Sequence, residues 1–240
     1  MTTITTWFQL GAVGMVIGTV AMLWAMQDTP RETYRESSLL IAVGVIAAVA
    51  YVLLWFEVSA ITAADGHTVY LVRYIDWLLT TPLHVAYLAL IAGASKRLLA
   101  EVSIVQALTI VFGIAGAIVD GPLQWALFAV GALLFGRVLY LLYRPIADAM
   151  RGASDLEVGL YRKLLNFIAV LWLVYPITWI LAPSGIGALD LETQALVISY
   201  IDVVAKIGFG LIALRGQAVV SALGAGTSDT SSVDDAVAAD

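Results

Sequence analysis

The chain has 240 residues, 61% of them hydrophobic and 12% charged, with a mean hydropathy of +0.94 and a formal net charge of −6. No single soluble core could hide that much apolar side chain, so the composition excludes an ordinary soluble protein and indicates an integral membrane protein. There is no cysteine, which excludes disulfides and thiolate metal sites, and two histidines, His67 and His84, are too few and too separated for a metal cluster. No phosphate loop, nucleophile elbow or paired-carboxylate hydrolase site is visible, so an enzyme is not expected.

A helix needs about 20 apolar residues to span the hydrocarbon, and seven runs qualify: 4–26, 38–58, 70–93, 98–119, 123–143, 161–181 and 191–214. The expected fold is an all-α membrane bundle of seven helices occupying residues 1–215. Residues 1–6 lack a basic region and a small-residue cleavage site, so the first run reads as a retained helix. Residues 27–35, with Asp28 and Pro30, break the first pair of runs, and Asp120-Gly121-Pro122 makes a tight turn between the fourth and fifth. Between the second and third, residues 57–68 contain Asp65-Gly66 flanked by Ala, Ile, Thr and Val, a pattern that predicts a short β-hairpin. Residues 216–240 end in Gly, Ser, Thr and Asp and are expected to form a solvated, disordered acidic tail.

Nine basic residues, from Arg31 and Arg35 to Arg215, fall on the side that holds loops one, three and five and the C-terminus, whereas the opposite loops carry no Lys or Arg. The positive-inside rule then places the N-terminus outside and the tail in the cytoplasm. A pI near 4.8 with only three lysines is the surface chemistry of proteins that stay hydrated at high salt, and suggests a halophile. Arg73, Arg137 and Lys206 must lie within helices. Arg137, toward the end of the fifth run, is expected to snorkel or to meet a neighbouring subunit.

Lys206 sits inside an otherwise apolar run, where an ammonium costs several kcal/mol unless it is paired or covalently used. Asp202 is one turn earlier, and the i, i+4 spacing puts both on one face. In the third run Arg73, Asp76, Trp77, Thr80, Thr81 and His84 follow helical spacing and share a broad face. Aromatic residues at such spacing are more often packing than cofactor contacts. Beside a mid-helix lysine and two mid-helix aspartates that account fails, because such charges in lipid mark a pathway or a ligand.

Residues 73–82 (RYIDWLLTTP), residues 172–179 (WLVYPITW) and Asp202-Val-Val-Ala-Lys206 resemble the microbial, archaeal-type retinal proteins, and the resemblance covers all seven runs. It implies that Lys206 forms a Schiff base with all-trans-retinal. It also implies that Asp76 is the primary counterion and proton acceptor, Asp202 the second counterion, and Arg73 the cation that holds the pair ionised. Tyr74, Trp77, Thr81, Trp172, Tyr175, Pro176 and Trp179 match positions that enclose the polyene. Gly113, Gly131, Ala132 and Phe135 match the ring end, where Gly131 and Ala132 replace hydroxyl residues of green-absorbing pumps and imply a blue shift. Thr109 is a colour-tuning candidate near the ring, or bonds back to its own helix.

Within the family, fast outward pumps carry a carboxylate at the position of Tyr87, whose unperturbed pKa of about 10 makes it a poor proton donor. Ser184 and Gln194 stand where pumps carry a pair of glutamates. Both departures imply slow proton return and a prolonged signalling state. Tyr200 matches a position where sensory rhodopsin II meets its membrane transducer. Ala205 replaces the hydroxyl residue that sensory rhodopsin II carries there, and the whole resembles sensory rhodopsin II and the middle rhodopsins. His84, where the family usually has an aliphatic residue, is a candidate for colour tuning or hydrogen bonding near the polyene; a neutral histidine satisfied by a hydroxyl or water is the alternative. The resemblance implies a phototaxis photoreceptor in the membrane of a halophilic archaeon, acting through a membrane transducer and able to form homo-oligomers. Two other classes stay open: a slow light-driven outward proton transporter, and a retinal-free structural or solute-carrying bundle that would leave Lys206 unmodified.

Overall fold

The computed structural model describes residues 4–237, with side chains described through residue 224. Seven helical spans are long and apolar enough to cross a membrane. They are built from α1 (Ile4–Met26), α2 (Tyr34–Trp55), α3 (Leu71–Ile91), α4 (Lys96–Ile118), α5 (Pro122–Leu141), α6 (Asp155–Leu181), and α7 (Leu191–Val203) continuing into α8 (Phe209–Val237). Consecutive helices α1 to α5 pack side by side, and α7 closes the ring against α1.

The elements begin and end where polar chemistry allows. Gly121, at φ +72°, makes the turn predicted before α5, and Pro122 opens the helix, where its missing N–H costs nothing. Ser154 and Glu157 form a reciprocal capping box at the start of α6, so this helix starts earlier than its apolar run. Hydropathy marks the lipid-crossing part of a helix and misses a polar first turn. The expected hairpin is present: β1 (Ala60–Thr62) pairs antiparallel with β2 (Thr68–Tyr70) in the register Ala60 to Tyr70. Its second strand runs directly into α3, which fixes the entry of the helix that carries Arg73 and Asp76.

The outer faces are apolar. On α1, Val13, Ile17, Val20 and Trp24 are exposed at helical spacing, while Phe8, Ala12, Met15 and Met22 turn inward. A helix apolar all round is stable only with lipid on its outer side. Small residues bring α1 close to its neighbours: Gly14 faces Val203, Gly18 faces Ile207, and a Cβ on Gly11 would overlap the Tyr51 ring.

One feature departs from expectation. The seventh span is not one regular helix, because Val204–Gly208 forms a wider π-helical turn with Lys206 at its centre. Past Leu214 the backbone is helical to Val237. Asp240 lies outside the described residues.

Candidate functional site

The buried ion pair sits where α3 meets the wide turn. Lys206 Nζ contacts Asp76 Oδ2 and lies 3.8 Å from Asp202 Oδ1, and all three side chains are almost completely buried. The two carboxylates are held very differently. Asp202 accepts hydrogen bonds from the Tyr51 hydroxyl at 2.7 Å, the Tyr175 hydroxyl at 2.6 Å and the Trp77 indole at 3.1 Å. Asp76 Oδ2 meets the lysine, but Asp76 Oδ1 has no hydrogen-bond partner among the described residues. A carboxylate with three donors is stabilised in its charged form, whereas one with a bare oxygen has room to accept a proton.

Pro82 would leave α3 with a weakened turn, and nearby hydroxyls bond back into it: Thr80 to the Asp76 carbonyl at 2.7 Å and Thr81 to the Trp77 carbonyl at 2.8 Å. Thr81 also accepts from Gln106 of α4 at 2.8 Å. Pro176 interrupts α6 beside the same space.

Lys206 forms one end of a cavity of about 310 Å³, within the usual range of about 300–1,000 Å³ for small-molecule sites. Trp77, Thr81, Trp172, Tyr175, Pro176 and Ala205 line it near the lysine; Thr109, Gly113, Gly131, Ala132 and Phe135 line it toward α4 and α5; Tyr74, His84 and Trp179 complete the expected set. The Thr109 hydroxyl bonds back to Val105 at 3.0 Å. His84 is 1% exposed, with Nδ1 3.1 Å from the Thr80 carbonyl.

Other expected residues lie outside this cavity. Tyr87 is fully buried one turn beyond His84, and Tyr200 is 68% exposed on the outer face of α7. Arg73 is buried but makes no ion pair with either aspartate among the described residues. Its guanidinium lies 5.3 Å from the Phe8 ring centroid and borders a small polar cavity with His67, Ser184 and Gln194. The Phe8 ring and the hairpin side take up the guanidinium in place of a direct bridge to either aspartate. Arg137 pairs with Glu101 at 2.5 Å and lies over the Tyr140 ring.

Sequence reasoning missed Tyr51 and Gln106. Each is a polar side chain inside an apolar helix, the same signal that singled out Lys206, but neutral and so less conspicuous. It also missed the wide turn, for which the sequence offers no local marker such as a proline.

A seven-helix membrane bundle with a buried lysine–carboxylate pair at the head of an apolar, aromatic-walled cavity defines the class of microbial rhodopsins. The chain belongs to the bacteriorhodopsin-like protein family, which matches residues 2–220. It is 54% identical over 215 residues to sensory rhodopsin-2 of Haloarcula vallismortis, covering 89% of this chain and 91% of that one. It is 39% identical over 222 residues to sensory rhodopsin-2 of Natronomonas pharaonis, covering 92% of each. The crystal structure of thermophilic rhodopsin from Rubrobacter xylanophilus superposes with a TM-score of 0.87 at 28% identity, covering 93% of this chain and all of that one.

Proposed function

We propose that this protein is a light-sensing photoreceptor for phototaxis in the cell membrane of a halophilic archaeon, holding all-trans-retinal on Lys206. The observation that carries the proposal is the pairing of Lys206 Nζ with Asp76 at the polar end of an otherwise apolar cavity. The likeness to two sensory rhodopsin-2 proteins supports the sensory branch.

The residues fit the group. An elongated apolar ligand matches a cavity walled by Trp77, Trp172 and Tyr175 and opened at its far end by Gly113, Gly131 and Ala132. When bound, retinal supplies light absorption and an isomerisation that moves its attachment point. The chain's own residues do the rest. Trp77 and Tyr175 restrict the space near Lys206 and anchor Asp202 as a fixed second carboxylate. Asp76, with its bare Oδ1, accepts the proton from Lys206 Nζ. Arg73 adds positive potential from the hairpin side.

Tyr87 at the donor position supports slow proton return, and a long-lived displaced state suits signalling to a membrane transducer. The exposed face of α7 around Tyr200, with lipid on either side, is the proposed contact with it. Outward proton transport, the second reading, draws on Asp76 and Ala205, but Tyr87, Ser184 and Gln194 replace the acids it needs. On the positive-inside rule the basic loops and the chain beyond residue 215 face the cytoplasm.

The test is reconstitution with all-trans-retinal. A visible absorption band that hydroxylamine bleaches under light, and that is lost in Lys206→Ala, supports the proposal. A protein that takes up no retinal contradicts it and revives the retinal-free bundle.

A further inference from the structure

We propose that Glu36, Tyr87 and His84 form a proton path from the α2 end of the bundle to Lys206, with His84 handing the proton to Lys206 Nζ. The proposal rests on the retinal reading above and supplies the return step that Tyr87 alone cannot.

His84 shares the cavity wall with Lys206. Its Nδ1 faces the Thr80 carbonyl at 3.1 Å. A carbonyl only accepts, so in the neutral ring Nδ1 carries the hydrogen and Nε2 is left as a proton acceptor. Nε2 completes no hydrogen bond among the described residues. The charges of Lys206 and Asp202 also act on this ring, while Trp172 and Phe209 close over it edge-on.

Tyr87 follows His84 by three residues and so lies on the same side of α3. Both rings stand edge-on to Phe209, at 5.0 Å for His84 and 5.9 Å for Tyr87. The Tyr87 hydroxyl is buried and completes no hydrogen bond among the described residues. From the first turn of α2, Glu36 presents a buried Oε2, also without such a partner, and its charge acts on Tyr87. Buried polar atoms are normally satisfied, and each exception asks for a reason. Three of these exceptions are Glu36 Oε2, the Tyr87 hydroxyl and His84 Nε2, and a relay needs groups left free to gain and lose protons.

The transfer balances as follows. The Glu36 carboxylic acid gives its proton to the Tyr87 oxygen as Tyr87 passes its own to His84 Nε2. The resulting imidazolium then gives that proton to Lys206 Nζ. The Glu36 carboxylate recovers a proton from water at the helix end, so one proton enters and one is delivered. The phenol between two better proton carriers keeps the transfer slow.

The test has two arms. In the retinal-free protein labelled with 15N-histidine, His67 and His84 are the only histidines, and His67→Gln assigns them. The His84 ring resonances should move in Tyr87→Phe and in Glu36→Gln; resonances unchanged in both overturn the proposal. In the retinal-bound protein, Glu36→Gln and His84→Leu should each slow recovery of the Lys206 Nζ proton after a flash by on the order of 100-fold, the scale of a lost general acid. The double variant should be no slower than the slower single, and added azide should restore the rate. A normal visible band with unchanged recovery in both variants overturns the proposal alone. No visible band in the parent protein overturns the retinal reading and this proposal with it.

Discussion

The Tyr51 hydroxyl of α2 donates a 2.7 Å hydrogen bond to Asp202 on α7, tying the two helices together at the buried charge cluster. Tyr51 is itself fully buried, so the bond is shielded from competing water. Hydrogen bonds to charged groups contribute about 1.5–3 kcal/mol. Tyr51→Phe should therefore lower stability by about that amount, read as a lower midpoint of thermal bleaching. A midpoint equal to that of the parent would mean that Tyr175 and Trp77 hold Asp202 unaided.

The same tyrosine is seated by α1. A Cβ on Gly11 would overlap its ring, so Gly11→Ala should push Tyr51 away from Asp202, at an overpacking cost of about 1–3 kcal/mol. Because the two changes act on one contact, Gly11→Ala and Tyr51→Phe should be less than additive in thermal bleaching. Strict additivity would show that Gly11 acts elsewhere.

At the ring end of the cavity, the polarity of two small residues should set colour. Ala132→Thr adds a hydroxyl to a wall where the only one, on Thr109, bonds back to its own helix. The absorption maximum should move to the red in the reconstituted protein, and a blue shift or no shift would separate colour from this wall.

Asp190 caps α7 outside the membrane, accepting from the Thr193 amide at 2.6 Å. That backbone donor holds its carboxyl below the usual carboxylate range. A depressed carboxyl contributes its stability above its unfolded pKa of about 3.9 and loses it as pH falls through the folded value. Asp190→Ala should thus lower the thermal midpoint slightly at pH 7, and the difference from the parent should vanish in strong acid. A difference that persists there would place the effect in helix propensity.

How much of this was legible beforehand depends on charge. Lys206, Asp76 and Asp202 stood out because ionised groups are rare in lipid, and the structure brings all three together. The spans were readable because lipid demands long apolar runs, and the hairpin because Asp65-Gly66 sits between strand-forming residues. The partners that hold Asp202 were harder: Trp77 and Tyr175 came through the family resemblance, whereas Tyr51 is a neutral aromatic in an apolar helix and looks like packing. Arg73 was placed on the right helix face, but its long side chain reaches toward Phe8 and the hairpin, a choice made by tertiary contacts. The wide turn at Lys206 packs against α1, α2 and α6, and no local pattern marks it.

The central claim is that light moves a proton from Lys206 to Asp76 and that its slow return sustains a signal. Flash photolysis of the retinal-bound protein without a transducer, with a pH-sensitive dye in the bulk, tests it most directly. The account predicts slow recovery of the Lys206 Nζ proton with little net proton release, and loss of the transfer in Asp76→Asn. Fast recovery with vectorial release would contradict it and make the protein a proton transporter.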